Sequence, residues 1–129
     1  KWLVLYFYPK DDTPGCTCQA NEFTALLQAF RDLNADVVGI SADPPEHHRI
    51  FTKKYDLSLT LLSDPEHRVM EQYGAWTKTL FGTRNYGRVT RSTFVIDPKG
   101  IVRYHCPEVI PLGHAERIRQ KLSALQQGK

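Results

Sequence analysis

The unbroken apolar run Trp2-Leu3-Val4-Leu5-Tyr6-Phe7-Tyr8 constrains the fold more than any other stretch of the chain. It has strand length and is apolar at odd and even positions alike, so both faces of the strand must be covered. That places it at the centre of a sheet with helices on its faces. A chain of 129 residues is long enough to bury such a core as one domain, spanning 1–129. The run is too short to cross a bilayer and no other is longer, so no membrane insertion is expected. Because Lys1 leads straight into this strand, a segment upstream is expected to be missing, and any targeting signal with it.

Pro9-Lys10-Asp11-Asp12-Thr13-Pro14-Gly15 is dense in turn formers and reads as a loop. From Thr17 to Leu33 the apolar positions Ala20, Phe23, Leu26, Leu27, Phe30 and Leu33 recur at helical spacing, which predicts one helix with Cys16 in its first turn. Asp36 to Ser41 reads as a second buried strand, and Pro44-Pro45-Glu46 opens a helix to about Tyr55. Leu59 to Leu62 is a short strand, and Asp64-Pro65-Glu66 starts a helix that Gly74 stops. Residues 75–90 read as a long loop. Thr93 to Ile96 and Ile101 to Tyr104 form a hairpin around Asp97-Pro98-Lys99-Gly100, and Ala115, Ile118, Leu122 and Leu125 mark a last helix. The predicted class is an α/β sandwich with a mixed sheet.

Seventeen basic and 14 acidic residues leave a net charge of +3, too mild and too scattered for nucleic acid. Three cysteines are an odd number and do not make a disulfide framework. Cys16, Cys18 and Cys106 lack the paired spacing of a zinc site, and the five histidines are dispersed, so no metal and no cofactor are expected. Free-thiol chemistry in a reducing compartment such as the cytoplasm, or inert buried thiols, remain.

A thiol is a useful nucleophile only as thiolate, which a helix N-terminus, a nearby cation or a metal favours. Cys16 has the first by position, since amides of the first turn lack helical acceptors and the macrodipole favours negative charge there. Gly15 lets the backbone approach without a Cβ. The Thr13 hydroxyl is placed to bond the thiolate and a substrate oxygen, while Pro9 and Pro14 stiffen the loop and carry no competing N–H.

The string Pro9-Lys10-Asp11-Asp12-Thr13-Pro14-Gly15-Cys16 resembles the P-x-x-x-T-x-x-C signature of peroxiredoxins. Its setting, Tyr6 to Thr17, is similar to the bacterioferritin-comigratory-protein (PrxQ) branch. The resemblance continues through Gly39-Ile40-Ser41, Leu61-Leu62-Ser63-Asp64, Tyr73-Gly74-Ala75-Trp76 and Arg91-Ser92-Thr93-Phe94-Val95-Ile96-Asp97, and covers essentially the whole chain. It implies a thioredoxin-like fold, preceded in the family by an N-terminal strand segment that this chain is expected to lack. It also implies a thiol-dependent peroxidase that reduces hydrogen peroxide and organic hydroperoxides through a sulfenic acid. On this resemblance Cys16 is the attacking thiolate, Thr13 orients and polarises the peroxide, Pro9 walls the pocket, and Arg91 faces the sulfur. By itself, Arg91 would read as a surface salt-bridge residue at a strand start.

The pattern breaks at the second thiol. Many members of this branch carry a resolving cysteine five residues after the first, where this chain has Asn21. The stretch before Gly74, the other family location, holds Met70 and no cysteine. Cys18 and Cys106 remain as candidates, although side chains at i and i+2 point to different sides of a helix. The expectation is therefore a one-cysteine cycle with an external thiol reductant: thioredoxin, glutaredoxin or glutathione. A monomer is expected, with a dimer left open. Two other readings compete: a non-catalytic thioredoxin-fold binding module, and a disulfide oxidoreductase, for which Cys16-Thr17-Cys18 has one intervening residue too few.

Several residues receive plainer readings. Trp76, Phe81 and Tyr86 could line a pocket mouth, although loop aromatics more often pack on the core. His114, which with Gly113 resembles a family Gly-His, starts the last helix. His47 and His48 are expected on an exposed helix face, Glu22 as a solvated charge complementing the helix dipole, and Gln19 within reach of the site.

Overall fold

The computed structural model describes residues 1–81 and 84–128. The elements in chain order are β1 (Trp2–Phe7), α1 (Pro14–Ala25), α2 (Leu27–Asp32), β2 (Ala35–Ser41), α3 (Pro45–Tyr55), β3 (Thr60–Ser63), α4 (Arg68–Gln72), β4 (Trp76–Phe81), β5 (Arg84–Val89), β6 (Ser92–Ile96), β7 (Val102–Cys106) and α5 (His114–Gln126). Five strands form one sheet in the order β3-β2-β1-β6-β7, with β4 and β5 as a separate two-stranded ribbon. β1 runs parallel to β2 and antiparallel to β6, so Tyr6 lies between Gly39 and Thr93. The sheet is mixed and flanked by helices, as the α/β reading expected.

The central position of β1 explains its composition. Val4, Tyr6 and Tyr8 point into one cluster with Phe23 of α1, Phe30 of α2, Phe51 of α3, and Ile118 and Leu122 of α5. Leu5 and Phe7 point the other way, against Met70 of α4, Phe94, Ile96 and Ile40. With both faces dry, a polar residue at either parity would lose its water without a partner. Among the described residues no helix is long and apolar enough to cross a membrane.

Three element boundaries depart from the sequence reading. The helix expected from Thr17 to Leu33 is two, interrupted at Leu26, where ψ opens to 5°. The apolar spacing runs through the break because Phe23, Leu27 and Phe30 all join one cluster, so periodicity alone does not reveal it. The helix expected from Asp64 is only Arg68–Gln72. His67 is left-handed (φ 60°), and the buried Asp64 carboxylate accepts the Arg68 and Met70 amides at 3.0 and 2.9 Å in place of a first helical turn. Gly74, with φ 72°, follows it as expected. Asp64→Ala would strand both amides, and a loss of about 1–3 kcal/mol is expected in urea unfolding.

The third departure is the segment 75–90, which is a hairpin of β4 and β5 rather than a loop. The ribbon pairs with itself, and at its base Trp76 stands opposite Val89, both packing on the second cluster. Its composition therefore lacks the period-two apolar pattern of a core strand. Phe81 and Tyr86 fall in these strands, and their side chains lie outside the described residues.

Candidate active site

The site forms at the carboxyl end of β1, where the chain turns through Pro9–Thr13 into α1. Pro14 is the first helical residue, Gly15 the second and Cys16 the third. The first amide with a helical acceptor is that of Thr17, which donates to the Thr13 carbonyl at 2.8 Å. The Gly15 and Cys16 amides precede it and by position have no helical acceptor. Thr13 occupies the N-cap yet makes no side-chain cap, and the first turn carries no acidic residue. Nothing on the helix itself therefore neutralises its positive end, and Cys16 sits there with 2% of its surface exposed.

The Arg91 guanidinium meets Cys16 from the start of β6. Its Nη2 donates to Cys16 Sγ at 3.2 Å, and its Nη1 donates to Gln19 Oε1 at 2.8 Å. Gln19 is fully buried, so its carbonyl fixes one prong of the fork while the other faces the sulfur. Gly15 makes room for this approach: a Cβ there would stand 3.1 Å from Arg91 Nη2 and 3.3 Å from Pro111 Cγ. Tyr6 lies beneath in the same cluster, its hydroxyl buried without a hydrogen-bond partner. Burial, and then the negative charge of Cys16, push that hydroxyl's pKa up.

Thr13 behaves differently from the expectation that its hydroxyl would bond the thiolate. It donates to the Lys10 carbonyl at 2.8 Å, which leaves its oxygen as an acceptor. Pro9 is exposed and lines a cleft of about 1050 Å³ together with Ala42, Trp76, Val89, Arg91 and Val109. The ribbon supplies one wall. Trp76 is stacked on His67 with ring centroids 3.6 Å apart. Its indole crosses Gly87, where a Cβ would lie 1.6 Å from Trp76 Cζ2, so only glycine admits the ring there. Trp76 thus both lines the cleft and packs on the second cluster.

Neither remaining cysteine is bonded to Cys16, and all three are free thiols. Cys18 faces Glu22, with Sγ 3.7 Å from Oε2. Burial and then the Glu22 charge push its thiol up, which keeps it protonated and a poor nucleophile. Cys106 is half-buried at the end of β7 and donates to the Glu108 carbonyl at 3.3 Å.

Two residues read plainly from sequence prove to be tied into the fold. Glu22 is not a solvated charge: its two carboxylate oxygens accept the Gly113 amide at 2.9 and 3.0 Å, docking the start of α5 onto α1. His48 is not on an exposed face. It is 5% exposed, with Nδ1 2.6 Å from Asp11 Oδ2, whereas His47 is exposed. The spacing His48, Phe51, Tyr55 would have revealed the buried face, had the histidine been counted with the aromatics. His114 does begin α5, where burial first, then the charges of Arg117 and Arg91, push its pKa down to about 4. Its Nε2 lies 2.8 Å from the Thr93 hydroxyl.

With this geometry established, comparison with known proteins is informative. Residues 1–105 match the AhpC/TSA family. A Helicobacter pylori protein named as a peroxiredoxin bcp is 38% identical over 122 residues, covering 95% of this chain and 80% of that one. The Bacillus subtilis peroxiredoxin Bcp is 45% identical over 101 residues, covering 78% of this chain and 64% of that one. Among solved structures, one of the Xanthomonas campestris bacterioferritin comigratory protein, described for alkyl peroxide reduction, matches with a TM-score of 0.90 at 33% identity. That match covers 96% of this chain and 79% of the other.

Proposed function

The chain belongs to the AhpC/TSA family of thiol peroxidases, and we propose that its attacking sulfur is that of Cys16, assisted by Arg91, Thr13, Pro9 and the Gly15 backbone. The observation that carries this reading is the guanidinium held 3.2 Å from a buried sulfur at an uncapped helix N-terminus. An inert core cysteine has no need of a half-buried guanidinium aimed at its sulfur, whereas a thiolate is stabilised by such a cation.

In the reaction the sulfur's electron pair forms the S–O bond and the O–O bond breaks. The departing oxygen takes that bond's pair and leaves as hydroxide or alkoxide, which a proton converts to water or alcohol. Negative charge moves from sulfur onto the oxygens, and fixed donors around that path stabilise it better than water that must reorient. The Arg91 fork and the Gly15 and Cys16 amides are those donors. Thr13 contributes an acceptor oxygen for the peroxide O–H, because its own hydrogen is already given to Lys10. Pro9 and Arg91 border the cleft, which Cys16 and Thr13 do not line, and its apolar stretches from Trp76, Val89 and Val109 would take the organic part of a hydroperoxide.

The sulfenic acid is returned to thiol by an external reductant of the thioredoxin, glutaredoxin or glutathione kind, in a one-cysteine cycle. Cys18 supports this, being held by Glu22 as a thiol on another side of the helix. Residues 1–129 form a single domain, which works as a monomer in a reducing compartment such as the cytoplasm. In the double variant Cys18→Ser, Cys106→Ser, one equivalent of peroxide is expected to leave a trappable sulfenic acid at Cys16, with turnover retained on an external thiol. A Cys16–Cys18 or Cys16–Cys106 disulfide in the wild type, with turnover lost in the matching single variant, would replace this with a two-cysteine cycle.

A further inference from the structure

The buried histidine of α3 faces two groups that can only accept. His48 Nδ1 lies 2.6 Å from Asp11 Oδ2, and Nε2 lies 3.1 Å from the Leu62 carbonyl on β3. A neutral imidazole has one donor and one acceptor nitrogen, so it would leave one of these contacts between two lone pairs. Between a carboxylic acid and an imidazole of ordinary basicity, the shared proton belongs on the imidazole. Asp11 is already engaged as an acceptor through Oδ1, which takes the Tyr8 hydroxyl at 2.6 Å. Both partners are more than nine-tenths buried, so each charge is compensated chiefly by the other.

Asp11 lies between Pro9 and Thr13, and several ties converge on its stretch of loop. The Asp11 amide donates to Asp43 Oδ2 at 2.8 Å, and that oxygen also accepts the Ser41 hydroxyl at 2.7 Å. Asp12, left-handed at φ 59°, gives its carboxylate to Lys54 and Tyr55 at the end of α3. The Asp12 tie is partly exposed and therefore weak, whereas the Asp11 tie is dry.

We propose that His48 is a positioning residue held as an imidazolium, whose buried ion pair with Asp11 fixes the Pro9–Gly15 loop and so places Thr13 and Cys16 for attack on peroxide. The proposal rests on the peroxidase reading of Cys16, although the protonation state it assigns does not. His48 acts through the loop, by way of Asp11.

The pair makes the loop's order depend on pH. The groups facing His48 are Asp11 and Tyr8 from β1 and its loop, Asp43 after β2, and the Leu62 carbonyl. On its own helix His47 pairs with Asp43, while Arg49 and Lys53 line an open groove that His48 also borders. Burial lowers the His48 pKa, but the Asp11 hydrogen bond and charge, then Leu62 and Asp43, outweigh it and leave it raised. A histidine raised above its unfolded value contributes fully below that value and loses its contribution as pH rises through the folded one. The loop is therefore held at neutral pH and loosens on the alkaline side.

The test has two arms. Ring 15N shifts of His48 in the resting wild-type protein are expected to show both nitrogens protonated at pH 7 and one proton lost at higher pH. The second arm is the second-order rate constant for hydrogen peroxide against pH in wild type and His48→Gln. A glutamine amide donates to one acceptor and turns its carbonyl on the other, and it does not titrate. His48→Gln is expected to react about 10-fold more slowly at pH 7, as for a small misplacement of the reacting groups, and to lack the alkaline decline of the wild type. A bare ring nitrogen at pH 7, or wild-type rate and pH profile in His48→Gln, would overturn the proposal. If His48→Gln does not fold, the 15N arm decides alone. Failure to trap sulfenic acid at Cys16 in the Cys18→Ser, Cys106→Ser variant would instead count against the Cys16 reading.

Discussion

Arg91→Met is expected to slow the reaction with hydrogen peroxide by about 10²–10³-fold, the cost of removing one fixed donor from a developing negative charge. Methionine keeps an unbranched chain of similar reach, so the variant isolates the guanidinium. Two things are lost together: the donor 3.2 Å from Cys16 Sγ, and the partner of the buried Gln19 carbonyl. Arg91→Lys should fall between wild type and Met. An ammonium keeps the charge but lacks the planar fork that holds Gln19 with one prong and the sulfur with the other. Stopped-flow fluorescence can follow single turnover, since Trp76 lines the cleft beside Arg91. If Arg91→Met reacts as fast as wild type, the guanidinium is a structural partner of Gln19 and no more.

Thr13→Val is expected to slow the same step by about 10²-fold or more, while Thr13→Ser keeps much of the rate. Valine matches threonine in shape and deletes the oxygen. The Lys10 carbonyl loses its donor and the peroxide loses its acceptor. These losses separate in the measurements. A loosened loop lowers stability against urea, whereas a missing substrate contact lowers the rate at unchanged stability. Equal rates for Val and wild type would make Thr13 a loop-packing residue.

Much of the site was legible because it is contiguous. Pro9, Thr13, Gly15 and Cys16 lie within eight residues of one another, in the turn after β1 and at the start of α1. A thiol in the first turn of a helix is an electrostatic statement that sequence alone can make. The core was legible for a similar reason: β1 is apolar at both parities because both its faces are covered. Arg91 is a different case. Its own neighbourhood supports only a salt bridge at a strand start, and the family resemblance was what singled it out. The fold brings it to Cys16 because β6 pairs antiparallel with β1, which delivers the start of β6 to the end of β1.

The misreadings share one cause. His48, Glu22 and the 75–90 ribbon were judged by local composition, and each is decided by a partner far along the chain or across a turn: Asp11 for His48, Gly113 for Glu22, and β5 for β4. The sequence by itself determined a covered strand, a helical thiol and the alternation of strands with helices, because these follow from period, propensity and covalent neighbourhood. Only the tertiary structure decided that Arg91 meets Gln19 and Cys16, that Asp11 meets His48, and that Cys18 turns to Glu22. Those meetings depend on strand order and helix rotation, which are set by how the whole core closes, and no local pattern encodes the polar pairs that closure brings together.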